Sequence, residues 1–283
     1  MYAVRAMGSR LDQLFGGTGP VLLDGAMGTA LRAAGWPVSE PTVLANLRAP
    51  GMVAAIHAEY RAVGARVLHT NTFGALPGSF ASEGERLDAV RAGVRIARKA
   101  AGGKAAVAGS LCAYDLAFHG PRLDEVVRLL VDEGVELLVY ETCHRPADAR
   151  VALELHARLA PGLPLVLCAS TTDGGRQDRR HVEEIDALLR AARDAGNAVE
   201  FGLNCCRGPH EAFKLALALP SFPRWLKPNT GLPEERVDDN VMAAFVRAAR
   251  QRGARFLGGC CGTDAETLTL LAAALGPERS AAP

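Results

Sequence analysis

The chain has 283 residues, of which 49% are hydrophobic and 22% charged, a composition typical of a folded globular protein and not of a disordered one. Its 32 basic and 31 acidic residues leave a net charge of +1, which gives no general electrostatic surface for nucleic acid or an anionic membrane. No apolar run reaches the ~18 residues that span a bilayer, and the amino-terminal segment lacks an apolar signal core, so a cytoplasmic protein is predicted. Seven cysteines in a reducing compartment argue against a disulfide scaffold.

Eight short apolar runs rich in β-branched residues recur along the chain. Their successive residues are apolar without strict alternation, which is typical of parallel strands covered on both faces. Helical periodicity follows these runs, and glycines stand where a left-handed residue would close the last helical turn. The predicted strands are 21–25, 65–72, 105–110, 136–142, 164–170, 198–205, 224–229 and 254–261. The predicted helices include 86–101, 123–133, 147–159, 182–194, 237–252 and one capped by Asp264, with ending glycines at 64, 134, 196, 253 and 276.

Eight strand–helix units in about 250 residues predict an α/β fold, a single (β/α)8 TIM barrel. A doubly wound open sheet is the alternative, but it usually has fewer strands and needs a reversal of strand order that a sequence does not reveal. The segment DGAMGT after the first strand is neither a dinucleotide nor a P-loop pattern. No low-complexity linker divides the chain, so residues 1–283 are predicted to form one domain, with 1–10 and 277–283 as loose ends.

The cysteines gather where a TIM barrel carries its chemistry, at the carboxyl ends of the strands. All seven map to this end in the predicted arrangement, among them the pairs at 205–206 and 260–261. A cysteine that packs as a small hydrophobe accounts well for Cys168 and less well for Cys112 and Cys143. It accounts poorly for the two pairs, which stand beside glycines.

The most informative motif is GGCCGT at 258–263. Adjacent residues of a regular strand point to opposite faces, but Gly258, Gly259 and Gly262 allow unusual backbone angles that would let both sulfurs converge. A third thiolate is available from GLNCC at 202–206, two strands away, across roughly 10 Å that inward side chains can close. Three thiolates and one open position are the ligand pattern of a catalytic zinc, and no CxxC pair of a structural site occurs. The spacing alone leaves a metal site and buried or redox-active thiols both open.

Taken together, the motifs resemble those of the homocysteine-binding zinc methyltransferases. This family includes betaine–homocysteine methyltransferase, S-methylmethionine-dependent homocysteine methyltransferase and the first module of cobalamin-dependent methionine synthase. The resemblance covers almost the whole chain in the family's order and implies a TIM barrel, in agreement with the strand count. The matching segments are LLDGAMGTAL (22–31), HTNTFGA (69–75), VAGS (107–110), ET (141–142), FGLNC (201–205), KPNTGLP (227–233) and GGCCGT (258–263).

The resemblance implies a zinc ion, Zn2+, bound by Cys205, Cys260 and Cys261, with Cys206 as the alternative ligand from the sixth strand. A free thiol titrates at about pH 8.5, so most of it is protonated at neutral pH. Coordination to zinc favours the nucleophilic thiolate. The implied reaction is an in-line attack of the homocysteine thiolate on an electrophilic methyl group, which gives methionine.

The same resemblance places Asp24, Gly25 and Glu141 against homocysteine. The alternative for Asp24 is a cap for a helix that starts near Ala26. Glu141 ends an apolar strand, and a buried carboxylate needs a partner, either a substrate ammonium or an internal arginine. Three further polar residues at this end are expected to orient ligands or to make buried hydrogen bonds: Thr70, Asn71 and Asn204.

The chain departs from the family pattern at two places near the predicted barrel mouth. Leu111, Cys112 and Ala113 follow the third strand's Gly-Ser, where many relatives have Gly-Pro or Ala-Pro. After the fifth strand the chain keeps the Thr-Asp-Gly of 172–174 and then enters an arginine-rich segment at 176–181. This segment is predicted as a solvated loop, with contact to an anionic donor or a partner module as the alternative.

Three functions remain open at this point. The first is a stand-alone homocysteine S-methyltransferase with a small sulfonium donor, S-methylmethionine or S-adenosylmethionine, because no folate or cobalamin domain follows the barrel. The second is a homocysteine-activating subunit that receives its methyl group from a partner's methylcobalamin, so a corrinoid or folate protein would be its partner. The third, a catalytically silent zinc-stabilised barrel for interaction or thiol sensing, is disfavoured by the intact set of Asp24, Glu141 and three cysteines.

Overall fold

The computed structural model describes residues 10–171, 176–231 and 236–276, and these residues form a closed ring of parallel strands. Each strand pairs with the next along the chain, the last pairs with the first, and a bridge between Leu23 and Val67 closes the ring. The predicted TIM barrel is confirmed, and the alternative of an open doubly wound sheet is wrong. The described residues contain eight strands: β1 (Val21–Leu22), β2 (Val67–His69), β3 (Ala106–Cys112), β4 (Leu137–Cys143), β5 (Leu165–Ala169), β6 (Val199–Cys205), β7 (Trp225–Pro228) and β8 (Phe256–Leu257).

Helices surround the ring and connect its strands. The five glycines predicted to end helices stand at or just after helix ends with φ between +67° and +110°, and Asp264 accepts a hydrogen bond from the Thr267 N–H at 2.8 Å. Within the described ranges no helix is long and apolar enough to cross a membrane. The helices are α1 (Arg10–Gly16), α2 (Met27–Ala33), α3 (Ala45–Arg48), α4 (Pro50–Val63), α5 (Glu83–Ala101), α6 (Leu116–His119), α7 (Asp124–Asp132), α8 (Pro146–Leu159), α9 (Arg176–Asp194), α10 (Pro209–Ala218), α11 (Asp239–Gln251) and α12 (Ala265–Leu275).

The arginine-rich segment at 176–181 is helical, so its prediction as a solvated loop is wrong. Helix α9 begins at Arg176, six residues before the predicted start. Arg179 and Arg180 are exposed and form ion pairs one turn ahead, with Glu183 at 3.0 Å and Glu184 at 3.3 Å. Such i,i+4 charge pairs stabilise a helical turn that has no apolar stripe. Apolar periodicity therefore gives no indication of the helix at 176–181. The Thr-Asp-Gly at 172–174 lies outside the described residues.

Helix α1 packs against the amino end of the barrel interior. Leu14 of α1 is buried with the side chains inside the ring, where Trp225 stacks on Phe256 with their ring centroids 5.0 Å apart. The Arg255 guanidinium fixes α1 by donating to the carbonyl oxygens of Leu14 and Phe15, at 2.8 and 2.9 Å. Arg10 therefore belongs to a helix, whereas the other residues of the predicted loose ends, 1–9 and 277–283, lie outside the described ranges.

Candidate metal centre and substrate cavity

Three cysteine sulfurs converge at the carboxyl end of the barrel. Cys205 is the last residue of β6, and Cys260 and Cys261 follow β8, with β7 between the two strands. The three Sγ atoms all lie within 4.8 Å of one another, and those of Cys205 and Cys260 are 3.1 Å apart. The structure therefore brings together the three cysteines that the family resemblance singles out.

Backbone geometry makes this convergence possible. The strand β8 ends at Leu257, four residues before its predicted end, so GGCC is not in an extended ladder. The φ of Cys205 is +55°, a left-handed conformation that is strained for a residue with a side chain and is typical of functional sites. The Asn229 side chain links the two cysteine segments: its Nδ2 donates to the Cys206 carbonyl at 2.9 Å, and its Oδ1 accepts from the Cys261 N–H at 3.0 Å.

The glycines of GGCCGT act in two ways, and the prediction that all three allow unusual angles is only partly right. Gly262 alone among them has a positive φ, +86°. Gly258 and Gly259 are required for close packing, because a Cβ at Gly258 would lie 2.8 Å from the Cβ of Leu23, and one at Gly259 only 1.9 Å from Thr263 Oγ1.

The protonation of the three thiols is shared. Hydrogen bonds from Cys205 and Cys260 lower the pKa of Cys261, and the hydrogen bonds of Cys205 to Cys260 and Cys261 raise the pKa of Cys205. Three thiolates within 4.8 Å of one another would repel one another. A divalent cation would remove this penalty, and sulfur donors in this number fit zinc. The residues present therefore fit a zinc ion.

The remaining cysteines lie outside this cluster. Cys206 is buried, its thiol donates to the Asn204 carbonyl at 3.4 Å, and burial raises its pKa to about 12. Burial likewise raises the pKa of Cys112 to about 11 and that of Cys143 to about 12. These values and surroundings are typical of cysteines that pack as small hydrophobes.

Glu141 is a buried carboxylate whose surroundings suit the binding of a cation. It is 8% exposed near the end of β4, and its Oε1 accepts from the Ser110 hydroxyl at 2.5 Å. The ion pairs of the described residues give it no arginine or lysine partner, so the alternative of an internal arginine finds no support. When such a carboxylate is buried without an ion-pair partner, a cation that binds beside it stabilises its charged form.

Asp24 lies in a different electrostatic environment. Its Oδ1 accepts from Lys227 Nζ at 2.8 Å and lies 2.7 Å from His69 Nδ1, while its Oδ2 accepts from the His69 backbone N–H at 2.7 Å. Burial alone would raise the pKa of Asp24, but His69 and Lys227 outweigh burial and hold it well below the usual range. Asp24 is not a helix cap: α2 begins after Ala26, which makes no side-chain cap.

Asn204 connects the carboxylate to the sulfurs. Its Oδ1 accepts from the Thr142 N–H at 2.8 Å, and its Nδ2 lies 3.5 Å from Glu141 Oε2. The same Nδ2 lies 3.7 Å from the Sγ of Cys205 and 3.9 Å from that of Cys260. The side-chain amide of Asn204 is thus close both to the Glu141 carboxylate and to the cysteine sulfurs.

Thr70, Asn71 and Gly25 make mainly structural contacts. The Thr70 hydroxyl accepts from the Ser110 N–H at 3.1 Å, and Asn71 Nδ2 donates to the Thr42 carbonyl at 2.8 Å. A Cβ at Gly25 would lie 2.6 Å from the Thr263 carbonyl oxygen, so the glycine permits close packing there.

The candidate site residues line one cavity of about 380 Å³. It is lined by all nine predicted site residues: Asp24, Gly25, Thr70, Asn71, Glu141, Asn204, Cys205, Cys260 and Cys261. A larger cavity, about 490 Å³, opens at the amino ends of β5 and β6, but no cysteine is among its described lining residues. The smaller cavity is therefore the candidate functional site.

Comparison with known proteins shows the family of this chain. The family model described as homocysteine S-methyltransferase matches residues 21–275. The chain belongs to the homocysteine S-methyltransferase family. Its members are methyltransferases, so this chain is a methyltransferase, and the hypothesis of a catalytically silent barrel is dropped.

Two relatives and one solved structure show how far the likeness to other family members extends. The chain is 26% identical over 275 residues to the mouse S-methylmethionine–homocysteine S-methyltransferase BHMT2, covering 83% of this chain and 72% of that protein. It is 27% identical to methionine synthase of Mycobacterium tuberculosis, covering 90% of this chain but 25% of that protein. The metallated form of the homocysteine methyltransferase MmuM from Escherichia coli has the same fold, with a TM-score of 0.76, 24% identity, and 93% and 99% of the two chains covered.

The sequence assigned no site role to three residues that line the cavity or contact the site in this homocysteine S-methyltransferase family member. They are Lys227, which pairs with Asp24, Ser110, which donates to Glu141, and Asn229, which links the cysteine segments. All three lie in the quoted family segments VAGS (107–110) and KPNTGLP (227–233). A signal for Lys227 was present, because a lysine within an apolar strand must find a buried anion.

Gly262→Ala is expected to destabilise the protein. A left-handed φ costs an alanine roughly 1–2 kcal/mol, and the new Cβ would lie 1.7 Å from the Gly231 carbonyl oxygen. The measurement is the melting temperature, which should fall by several degrees. Gly51→Ala is the matched control, because this α4 glycine has no atom within 4 Å of its Cβ position, and alanine there favours the helix. Equal melting temperatures of the wild type and Gly262→Ala would contradict the geometric argument.

Proposed function

We propose that this chain is a zinc-dependent homocysteine S-methyltransferase that transfers a methyl group from a small sulfonium donor to homocysteine. The observation that carries the proposal is the placement, in a single cavity, of three converging cysteine sulfurs and a buried carboxylate, Glu141, which has no ion-pair partner among the described residues. Homocysteine carries a thiol at one end and an ammonium group at the other, so it matches both features at once.

Cys205, Cys260 and Cys261 would hold the zinc ion. When bound, zinc supplies a positive charge that favours the thiolate form of a substrate thiol at neutral pH. Three protein ligands leave a position for that thiol, as in catalytic zinc sites. Asn204 directs its amide toward two of these sulfurs and thereby supports their orientation.

Glu141 binds and orients the substrate ammonium in this proposal. Ser110 fixes one carboxylate oxygen by its hydroxyl, and Asn204 lies beside the other. With the ammonium held there, the substrate thiol is limited to the part of the cavity that the cysteines line. The methyl transfer itself needs no proton transfer, so these residues act by positioning.

The described lining favours a cationic or neutral methyl donor. Two basic side chains line the cavity, and both have partners: Lys227 pairs with Asp24, and Arg32 donates to the carbonyl oxygens of Pro37 and Glu40. Phe73 lines the cavity and is 39% exposed, and an aromatic face attracts a cation such as a sulfonium group. The mouse relative's name specifies S-methylmethionine, which is a donor of this class.

The second candidate is a homocysteine-activating subunit whose methyl group arrives on a partner's methylcobalamin. The match to a quarter of a methionine synthase favours it, since that enzyme is much longer than the matched barrel. Both candidates share the same homocysteine site and differ only in the donor.

A donor panel with purified protein, homocysteine, zinc and a reductant tests the proposal. We expect methionine to form with S-methylmethionine or S-adenosylmethionine and not with free methylcobalamin. Cys260→Ala in each reaction measures the uncatalysed background. Methionine formation with methylcobalamin alone would favour the second candidate, and formation with none of the three donors would refute the proposed sulfonium-dependent activity.

A further inference from the structure

Lys227 is a buried lysine in the wall of the candidate cavity. It belongs to β7, it is 3% exposed, and its Nζ donates to Asp24 Oδ1 at 2.8 Å. The chain has 32 basic residues and only four of them are lysines, so a lysine at a buried position calls for a specific explanation. Burial lowers the pKa of Lys227, but the negative charges of Asp24 and Glu141 outweigh burial and raise it, so the ammonium stays charged.

The Asp24 carboxylate, the partner of Lys227, uses most of its acceptor positions for contacts within the protein. Of the roughly four acceptor positions of a carboxylate, Asp24 uses two on Oδ1, toward Lys227 and His69 Nδ1, and one on Oδ2, toward the His69 N–H. Among the contacts of the described residues, one position on Oδ2 remains, and Asp24 lines the cavity. The orientation of that last acceptor depends on the contacts that hold the rest of the group.

The contacts that hold the Asp24 carboxylate come from two different strands. The His69 N–H belongs to the backbone of β2 and fixes one oxygen from the strand itself. Lys227 holds the other oxygen from β7, which is not a neighbour of β1 in the sheet. Asp24 is therefore clamped across the barrel mouth, between two strands that do not pair with each other.

We propose that Lys227 is a positioning residue that holds the Asp24 carboxylate in the orientation needed to bind homocysteine. The inference rests on the proposed function and deepens it. Lys227 itself is expected to make no contact with the substrate that matters for affinity, so its whole effect on homocysteine binding passes through Asp24. Glu141 has no such clamp among the described ion pairs, and only its charge, at longer range, acts on Lys227.

A double-mutant cycle tests this dependence. The four proteins are the wild type, Asp24→Asn, Lys227→Met and the double variant. For each one, homocysteine affinity is measured by calorimetry under reducing conditions, and KM and kcat are measured with the donor that the panel identifies. Zinc content and melting temperature are recorded in parallel, and Lys214→Met, at an exposed lysine of α10, is the control for loss of a lysine charge.

Lys227→Met is expected to weaken homocysteine binding roughly fivefold, as for the loss of one ordinary hydrogen bond, with kcat and zinc content little changed. The double variant is expected to bind homocysteine as Asp24→Asn does, because Lys227 has nothing left to position. Its melting temperature should exceed that of Lys227→Met, since no unpaired buried charge remains. A purely structural role would lower stability without this split between KM and kcat.

Two results would overturn the proposal. One is an unchanged homocysteine affinity in Lys227→Met. The other is a double variant that binds homocysteine more weakly than Asp24→Asn by the same factor by which Lys227→Met binds it more weakly than the wild type. If Lys227→Met does not fold, the comparison of Asp24→Asn with the double variant still decides, because neither contains an unpaired carboxylate at position 24. Wild-type protein that does not bind homocysteine would refute the proposed function itself, whereas normal wild-type binding with independent effects would refute only the role of Lys227.

Discussion

Cys260→Ala is expected to abolish tight zinc binding and methyl transfer while the barrel still folds. Cys260 lies after β8, outside both apolar clusters of the core, and its Sγ is 3.1 Å from that of Cys205. Removing a sulfur leaves two thiolates, too few for a catalytic zinc site. We expect zinc affinity to fall by more than roughly a hundredfold, beyond the loss seen for supporting residues of metal sites. Zinc content by elemental analysis, circular dichroism and methionine formation measure the three outcomes.

Cys206→Ala is the matched control for this experiment. Cys206 is adjacent to Cys205, but it is buried with its thiol on the Asn204 carbonyl. We expect this variant to keep about one zinc per chain and to lose at most about 1 kcal/mol of stability, a typical cost of a single substitution. Full zinc occupancy in Cys260→Ala would contradict the ligand assignment, and loss of zinc in Cys206→Ala would favour Cys206 as the ligand from β6.

Glu141→Gln is expected to weaken homocysteine binding roughly 10- to 100-fold. A hydrogen bond to a charged group contributes about 1.5–3 kcal/mol, and about 1.4 kcal/mol corresponds to a factor of ten. Glutamine keeps the shape of the side chain and its contact with the Ser110 hydroxyl but removes the charge that attracts the ammonium. Zinc content is expected to stay unchanged, because Glu141 is not among the three converging sulfur ligands. Calorimetric titration with homocysteine under reducing conditions measures the change.

Thermal stability separates substrate binding from a structural role for Glu141. Neutralising a buried carboxylate that has no cation partner should lower the melting temperature little, or raise it. Glu154→Gln, at an exposed position of α8, is the control for the loss of one negative charge and should leave both affinity and stability unchanged. An unchanged homocysteine affinity together with a large loss of stability would show that Glu141 is an internal structural partner.

The barrel could be predicted from the sequence because its signals are local. Each strand is a short apolar run, several helices end at a glycine or begin at a capping aspartate, and eight repetitions leave few folds of this size. Asp264 and the glycine at 253 show this well, since each acts on backbone groups within a few residues. The error at 176–181 has the same origin, because a helix start supported by charge pairs has no apolar period.

The meeting of the three cysteines was partly predictable. Strand order in a barrel follows chain order, so β6 and β8 had to lie two strands apart, and the glycines of GGCCGT indicated an irregular backbone. The left-handed conformation of Cys205 and the Asn229 bridge between the two cysteine segments were not predictable. The bridge forms only where the loop after β8 meets the end of β7 in the folded chain.

By itself, the sequence determined the fold, the end of the barrel that carries the candidate site and the residue types gathered there, because these follow from local propensity and from the order of the strands. Only the tertiary structure decided which charges are compensated. Asp24 and Lys227 are 203 residues apart in the chain and 2.8 Å apart in space, while Glu141 meets a hydroxyl and no cation among the described ion pairs. The physical reason is that an ion pair forms across the closed ring only when two inward-facing side chains reach the same level, and the register of the strands sets that level. Asp24 and Glu141 are both acidic and follow apolar runs in the sequence, and only the barrel shows that their electrostatic surroundings differ.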